Sequence, residues 1–171
     1  MNQNLPKQTP LERNPLDLNP LLGQFPLPSD LRLPATWAQR LIAAAVEARE
    51  QAYAPFSRFR VGAALLTGEP AGGEPQIFVG CNVENASYGA TICAERVAGG
   101  AAIAAGQRVW SGMAIATRGG AAPCGVCRQF LVEFAPQMEI ILVDVDQRTC
   151  RCRLLADLLP EYFRGADVLS E

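Results

Sequence analysis

The distribution of prolines divides this chain into two parts. Seven of its 13 prolines fall within the first 34 residues, so closely spaced that neither a helix nor the interior of a sheet could include them. We therefore expect a proline-rich N-terminal extension over residues 1–34 and one folded domain over residues 35–171. The extension could remain loose, or it could pack on the domain through its apolar side chains: Leu16, Leu18, Leu21, Leu22 and Phe25.

The length and composition are typical of one globular domain outside the membrane. A chain of 171 residues can bury roughly 70% of its unfolded surface, and a hydrophobic content of 49% favours a packed core over disorder. No stretch approaches the ~20 apolar residues of a membrane span. The N-terminal residues also lack the apolar segment of a secretion signal, so we expect a cytoplasmic protein.

The charge balance disfavours a nucleic-acid partner. The chain has 15 basic and 17 acidic residues, a net charge of −2, and Lys7 is its only lysine. Surfaces that bind nucleic acid gather many Lys and Arg side chains against the phosphates. No such basic cluster is present in this sequence.

Helix-like and strand-like patterns alternate after residue 34. The first helix is predicted over 36–53, with Thr36 as its N-cap. Later helices are predicted over 91–105, 124–134 and 155–159. Strands are predicted over 59–66, 77–83, 109–117, 138–143 and 150–155, the first two joined by a hairpin turn at 68–75. This alternation implies an α/β layered domain with a mixed sheet.

The chain has no histidine, which restricts the chemistry of any active site. Ser-His-Asp and Cys-His machinery are excluded, and a metal could be held only by thiolates and carboxylates. The six cysteines could form three disulfides in a secreted protein, but a domain of this size does not need them, and we interpret them as reduced thiols. Cys124 and Cys127 form a C-x-x-C pair, which indicates metal binding or redox chemistry.

Three of the cysteines are predicted to converge at the starts of two helices. Cys93 falls in the first turn of one predicted helix, and Cys124 and Cys127 fall in the first turn of another. Helix N-termini carry a partial positive charge that lowers thiol pKa values and favours metal binding. Three protein ligands on Zn²⁺ would leave an open position for hydrolytic chemistry. A fourth ligand would indicate a structural site, and the candidates for it are Cys81, Cys150 and Cys152.

Glu95 favours the catalytic interpretation. Two residues beyond Cys93 on a helix, its carboxylate can reach a water on the metal and act as a general base. Three thiolates leave one Zn²⁺ with a net charge of −1, which calls for compensating positive charge. Arg96, three residues after Cys93, and Arg128, directly after Cys127, are predicted to donate hydrogen bonds to the ligand sulfurs.

Three motifs together carry a resemblance to a known family. The chain contains CNVENASYG at 81–89, TICAER at 91–96 and PCGVCRQ at 123–129. This combination resembles the short, homotetrameric, zinc-dependent cytidine deaminases, whose signature joins Cys-x-Glu or His-x-Glu to Pro-Cys-x-x-Cys. The resemblance runs from about residue 36 to the C-terminus. It implies a three-layer α/β/α sandwich with a five-stranded mixed sheet, and one Zn²⁺ per chain on Cys93, Cys124 and Cys127.

The resemblance also implies which residues contact the substrate. Asn82 and Glu84 match the pair that grips the ribose hydroxyls in the family. Phe59 matches the phenylalanine that packs on the pyrimidine, although periodicity alone would bury it in the core. The N–H of Ala94 is expected to orient the base, together with backbone carbonyls near Pro123 and Cys124.

Two aromatic residues match residues that, in proteins of this family, reach into the active site of a neighbouring subunit. This match implies a homotetramer with shared active sites. The two residues are Tyr88 and Phe163, with Tyr162 as an alternative to Phe163. Gly99 and Gly100 depart from the family, which usually carries larger apolar residues there. Each glycine costs a helix ~1 kcal/mol against alanine, so we expect this helix to pack closely on its neighbours.

The resemblance implies hydrolysis of cytidine and 2′-deoxycytidine to uridine and 2′-deoxyuridine with release of ammonia, a reaction of pyrimidine salvage. Glu95 is expected to protonate the ring nitrogen and then the amine. Three alternatives stay open. They are a deaminase of a cytosine-nucleoside antibiotic such as blasticidin S, a polynucleotide-editing deaminase, which the acidic charge balance opposes, and a non-catalytic zinc-stabilised interaction module.

Overall fold

The structure, a computed structural model of the protein, describes residues 20–68 and 74–169. Leu16, Leu18 and most of the predicted turn at 68–75 lie outside these residues. Within the described ranges, no helix combines the length and the apolar character needed to cross a lipid bilayer.

In the described parts of the chain, five strands form one mixed sheet. Numbered along the chain, they are β1 (Gly62–Thr67), β2 (Ile77–Cys81), β3 (Trp110–Thr117), β4 (Glu139–Asp144) and β5 (Thr149–Leu154). Their order across the sheet is β2-β1-β3-β4-β5. Only β3 and β4 run parallel, and the other neighbouring pairs are antiparallel. The five-stranded mixed sheet and the β1–β2 hairpin pairing are therefore confirmed.

Helices cover both faces of the sheet, as predicted for a three-layer sandwich. The helices are α1 (Ala35–Glu50), α2 (Ala94–Ala104), α3 (Gly125–Val132), α4 (Leu155–Leu158) and α5 (Ala166–Leu169). Helix α1 packs on one face, and α2 and α3 pack on the other. Successive residues of a strand point to opposite faces, so β1 sends Leu65 into the core beneath α2 and α3 and Leu66 into the core beneath α1.

The start of α1 corrects the predicted N-cap. The residue before its first turn is Pro34, whose carbonyl accepts hydrogen bonds from the backbone N–H groups of Trp37 and Ala38. Thr36 lies inside the helix, is exposed, and makes no capping bond. The proline carbonyl thus does what an N-cap carbonyl does, accepting the first intrahelical bond.

The described part of the extension packs on the α1 side of the sheet. Phe25 is buried in the core beneath α1. The backbone N–H groups of Arg32 and Leu33 donate to the buried Glu139 carboxylate at 2.7–3.1 Å. The Leu33 side chain lies over Gly112, where a Cβ would come within 2.4 Å of Leu33 Cδ1. Backbone hydrogen bonds and apolar contacts therefore both hold residues 20–34 in place.

The two glycines of α2 lie in different surroundings. A Cβ on Gly99 would lie 2.6 Å from Phe130 Cε1 and 3.2 Å from the Trp110 ring, so the close packing expected of this helix is present at Gly99. Gly100 is exposed and has open space around it. The chain therefore requires a glycine only at the first of the two positions.

The sheet topology places two helix starts at one edge. Strands β2 and β3 run in the same direction, because both are antiparallel to β1. Helix α2 follows the carboxyl end of β2, and α3 follows the carboxyl end of β3, on the same face of the sheet. Ligands of layered α/β domains bind at such carboxyl edges.

Candidate active site

Three thiols meet where α2 and α3 begin. Cys93 is the N-cap residue of α2, Cys124 is the N-cap residue of α3, and Cys127 lies in the first turn of α3. The Sγ atoms of Cys93 and Cys124 are 3.9 Å apart, and those of Cys124 and Cys127 are 3.5 Å apart. All three sulfurs lie within 4.8 Å of one another. The predicted convergence is confirmed, with Cys93 and Cys124 one residue before the helical turns that were expected to contain them.

This cluster fits Zn²⁺. Tetrahedral zinc with Zn–S bonds of about 2.3 Å separates its sulfurs by about 3.8 Å, close to the two distances observed. Thiolate is also the donor type that zinc accepts in the absence of histidine. In the part of the chain that the structure describes, this is the only group of three or more Cys, Asp or Glu residues close enough together to hold an ion. The described residues thus offer one zinc site with three protein ligands.

The other three cysteines lie elsewhere in the domain. The Cys81 thiol contacts the Gln51 carbonyl, and the Cys152 thiol contacts the Glu139 carboxylate at 3.7 Å. Cys150 packs beneath α1, and burial raises the pKa of its thiol to about 11. None of the three joins the thiol cluster, so the described residues offer no fourth sulfur ligand.

The cluster itself favours a thiolate. A hydrogen bond from Cys127, together with the Arg96 guanidinium, lowers the pKa of Cys93 to about 5. The same hydrogen bond and burial raise the pKa of Cys127. Cys93 is therefore the thiol of this pair that loses its proton more readily, and the thiolate is the form that binds metal.

Glu95 lies beside the cluster and is buried. It is the second residue of α2, and 4% of its surface is exposed. Burial raises the pKa of its carboxyl group, and the negative charge at Cys93 acts in the same direction. A carboxyl group that is buried, close to metal ligands and easier to protonate than usual is suited to accept and return a proton.

The two arginines behave differently. Arg96 Nη2 lies 4.0 Å from Cys93 Sγ and also donates to the Thr91 carbonyl at 3.0 Å. Arg128, however, was predicted to contact a ligand sulfur and does not: its Nε donates to the Pro123 carbonyl at 2.7 Å and its Nη1 to the Leu158 carbonyl at 2.6 Å. As the residue next to Cys127 on a helix, Arg128 points about 100° away from it.

Asn82 and Glu84 both contact the segment that precedes β1. The buried Asn82 amide accepts from the Val61 N–H at 2.8 Å and donates to the Phe59 carbonyl at 2.9 Å. The Glu84 carboxylate accepts from the Phe56 N–H at 2.8 Å and from the Ser57 hydroxyl. The side chains predicted to grip the ribose thus also hold the loop that carries Phe59.

Exposed aromatic side chains lie before β1, between β2 and α2, and near the C-terminus. Phe59 precedes β1 and is 41% exposed, so it does not belong to the core. Tyr88 is exposed and lies edge-on to Phe56, with 6.0 Å between the ring centroids. Near the C-terminus, Phe163 is exposed, whereas Tyr162 packs against the core beneath α2 and α3.

Backbone groups complete the site. Ala94 is buried and is the first residue of α2, so its N–H belongs to the set that a helix start leaves without an intrahelical partner. The Pro123 carbonyl is held by Arg128, immediately before the Cys124 ligand position. A donor and an acceptor of the backbone are thus fixed beside the thiol cluster.

Ser57 was not identified from the sequence. Its hydroxyl donates to the Glu84 carboxylate and accepts the N–H of Phe59 at 3.0 Å. The only sequence signal was its place two residues before Phe59, and a serine in a loop has many possible roles. Its contact with Glu84 joins positions 27 residues apart and needs the folded chain to become visible.

A layered α/β domain with three thiols and a buried glutamate at paired helix starts belongs to the zinc-dependent hydrolytic enzymes. The family model for the cytidine and deoxycytidylate deaminase zinc-binding region matches residues 35–143. The chain belongs to this deaminase family.

Individual relatives agree with the family match. A cytidine deaminase of Sporosarcina psychrophila is 40% identical over 137 residues, which cover 76% of this chain and 93% of the relative. A probable cytidine deaminase of Dictyostelium discoideum is 40% identical over 136 residues, or 78% and 88% of the two chains. The crystal structure of cytidine deaminase from Burkholderia pseudomallei has 47% identity and a TM-score of 0.66, and the similarity covers 72% of this chain and 97% of that one.

Proposed function

We propose that the protein hydrolyses the exocyclic amine of cytidine and 2′-deoxycytidine, yielding uridine or 2′-deoxyuridine and ammonia. One observation carries this proposal: a buried glutamate adjoins three converging thiols that offer zinc three ligands and leave its fourth position without a protein ligand among the described residues. The names of the relatives, cytidine deaminases at about 40% identity, supply the substrate class.

Cys93, Cys124 and Cys127 are proposed to hold the ion. Bound there, zinc supplies Lewis acidity that makes water nucleophilic at neutral pH. The Glu95 carboxylate takes one proton from the attacking water and delivers it to the ring nitrogen next to carbon 4. It then takes the second proton from the hydroxyl now on carbon 4 and delivers it to the amine, as the carbon–nitrogen bond breaks and the C4 carbonyl forms. One water is consumed and one ammonia released. The burial of Glu95 keeps competing solvent away from these transfers.

The remaining residues are proposed to orient the nucleoside. The Ala94 N–H and the Pro123 carbonyl give the base one donor and one acceptor. Phe59 packs on the pyrimidine ring, and Asn82 and Glu84 bind the ribose hydroxyls. Arg96 offsets the negative charge of the thiolates, and Arg128 holds the Pro123 carbonyl in place.

We also propose a homotetramer in which neighbouring subunits complete one another's sites. Large apolar side chains stand exposed before β1, between β2 and α2, and near the C-terminus, and a second copy of the chain would cover them: Phe56, Phe59, Tyr88, Ile92 and Phe163. The exposure of Phe163 and the packing of Tyr162 favour Phe163 as the residue that reaches the neighbour. Light scattering on the purified protein would test the assembly, and a monomeric mass would reject it.

The domain division and cellular setting complete the proposal. We assign residues 1–34 to an extension and 35–171 to the deaminase domain, because the family match begins at residue 35. All six cysteines are free thiols, which supports a place in the reducing cytoplasm. There the reaction would serve pyrimidine salvage.

Substrate assays test the function directly. The protein is incubated with cytidine, 2′-deoxycytidine and blasticidin S, while ultraviolet absorbance and ammonia release are followed. We expect turnover of the two nucleosides. If only blasticidin S is turned over, the protein is an antibiotic deaminase. If the protein binds zinc but turns over none of the three compounds, it is a zinc-stabilised interaction module.

A further inference from the structure

We infer that Ser57 is a positioning residue for sugar recognition, joining the carboxylate that would bind the ribose to the backbone that carries the base-packing Phe59. The inference rests on the proposed function, because it assigns Glu84 and Phe59 to substrate. Ser57 itself is not expected to touch the nucleoside.

The serine connects the two substrate-facing residues directly. Its hydroxyl hydrogen is donated to Glu84 Oε1, and its oxygen accepts the Phe59 N–H at 3.0 Å. The Ser57 side chain therefore links Glu84, in the segment after β2, to the loop before β1. Because the hydroxyl has a single hydrogen, its donation to Glu84 leaves it only acceptor capacity for Phe59.

The other carboxylate oxygen is fixed by the backbone. Glu84 Oε2 accepts from the Phe56 N–H at 2.8 Å and from the Ser57 N–H at 3.2 Å. Each oxygen of a carboxylate has two lone pairs, so Oε1 keeps one free after bonding to Ser57. The orientation of the Glu84 carboxylate is thus fixed before a ligand binds, and its Oε1 atom can still accept a hydrogen bond from a sugar hydroxyl.

The loop conformation depends on the same contacts. Between Ser57 and Phe59, Arg58 adopts a left-handed backbone with φ 58°, which is unfavourable for a residue other than glycine. The bond from the Phe59 N–H to Ser57 spans this residue and stabilises the turn. The Phe56 and Ser57 N–H groups also hold this loop, through Glu84 Oε2, so the path to Phe59 keeps these bonds when the hydroxyl is removed. The direction of Glu84 Oε1, in contrast, depends on the hydroxyl.

Preorganisation of this kind lowers the cost of binding and leaves the chemical step untouched. Removing the hydroxyl should therefore raise KM for nucleosides that offer sugar hydroxyls and leave kcat nearly unchanged. A purely structural role would instead affect all nucleosides alike. 2′,3′-Dideoxycytidine separates the two cases, because it carries the same base without either ring hydroxyl.

The experiment compares steady-state kinetics of wild type, Ser57→Ala and Ser57→Thr on cytidine, 2′-deoxycytidine and 2′,3′-dideoxycytidine. For Ser57→Ala we expect KM to rise about tenfold for the first two substrates, the loss expected for a hydrogen bond to a charged group. Values of kcat should stay within about twofold, and KM for the dideoxynucleoside should change less than about twofold. Ser57→Thr keeps a hydroxyl and should restore most of the affinity.

A double-mutant cycle shows whether the effect passes through Glu84. In a Glu84→Gln background, Ser57→Ala should add less than about twofold to KM, because the coupled charge is already gone. Ser87→Ala is the matched control, since that exposed loop serine makes no side-chain hydrogen bond among the described residues, and it should behave as wild type.

Several results would overturn the inference. Equal KM increases for all three nucleosides, a fall in kcat alone, or full additivity with Glu84→Gln would each show that Ser57 does not act through sugar recognition. Should Ser57→Ala not fold, Ser57→Cys keeps the volume with a weaker donor, and the same substrate pattern is required of it. A wild type without nucleoside turnover would overturn the proposed function itself and the role of Ser57 with it.

Discussion

The Nη2 atom of Arg96 lies 4.0 Å from the Sγ atom of Cys93, one helical turn earlier in the chain, while donating to the Thr91 carbonyl at 3.0 Å. This pairing places a permanent positive charge beside a thiolate. Three thiolates on one divalent cation carry a net charge of −1, and such sites depend on contacts that withdraw negative charge from sulfur. Arg96 is the residue that makes this contact in the described structure.

Replacing Arg96 should weaken the metal site. We expect Arg96→Ala to lower zinc affinity or turnover by about 10–100-fold, the range seen when a group supporting a metal ligand is lost. Competition with a chromophoric chelator measures the affinity, and the ultraviolet assay measures turnover. Arg118→Ala is the control, because Arg118 is exposed and, among the residues that the structure describes, pairs only with Asp146. Unchanged affinity and turnover in Arg96→Ala would contradict the assigned role.

Replacing Glu95 should separate chemistry from metal binding. Glu95→Gln keeps the shape of the side chain but cannot accept a proton. We expect zinc to remain bound and kcat to fall by about 10²–10⁴, the contribution typical of a general acid–base group. Glu133→Gln, at an exposed position just beyond α3, should retain wild-type turnover. Near-normal turnover in Glu95→Gln would show that another group moves the protons.

Replacing Arg128 tests the correction to its predicted contact. Arg128 bridges the Pro123 and Leu158 carbonyls, so Arg128→Ala removes two hydrogen bonds from a charged donor. We expect the free energy of unfolding to fall by about 2 kcal/mol and Tm by about 4–8 °C, with one zinc still bound per chain. Loss of zinc at unchanged Tm would instead support the contact with sulfur that the sequence predicted.

The two arginines show how far sequence reasoning reaches. Arg96 follows Cys93 by three residues in a helix, and helical geometry alone brings such positions together. Arg128 directly follows Cys127, and its partner at Leu158 lies 30 residues away. Local periodicity carries no information about a contact of that kind.

The same distinction applies to the fold. Hydrophobic periodicity located β1, β3 and β4, because these strands are short apolar runs buried along nearly their whole length. Strands β2 and β5 are only partly buried, and their predicted ranges, 77–83 and 150–155, still overlap the observed strands. Periodicity could not predict that the Glu139 carboxylate accepts the backbone N–H groups of Arg32 and Leu33, which precede it by 107 and 106 positions in the chain. These bonds hold the extension against the sheet. Nor could periodicity show that the N-cap of α1 is Pro34 and not Thr36, since the place where a helix starts depends on how the preceding chain is held.

The stability of the turn after β4 and of the loop before α3 should depend on pH through Asp144, which accepts N–H groups from both. Burial opposes ionisation of this carboxyl group, but N–H groups of Gln147, Asp146 and Gly119 together hold its pKa below the ordinary value. A carboxyl group with a lowered pKa in the folded state adds stability that is full above its unfolded pKa, about 4. That stability is lost as pH falls further, through the folded pKa.

Urea unfolding of wild type and Asp144→Asn at pH 7 and at pH 3 measures this contribution. The wild type should be the more stable at pH 7, and the difference between the two proteins should shrink at pH 3. Comparing the proteins at each pH cancels any effect of acid on the metal site, which both share. A difference that stays constant with pH would exclude the ionised carboxylate as its source.

The coordination of the bound metal tests the central claim most directly. X-ray absorption at the zinc edge, combined with metal content per chain, counts the sulfur neighbours of the ion in the purified enzyme. We predict one zinc per chain with three sulfurs at about 2.3 Å and one lighter neighbour. Four sulfurs around the ion, or a protein that carries no zinc and still deaminates cytidine, would contradict the account.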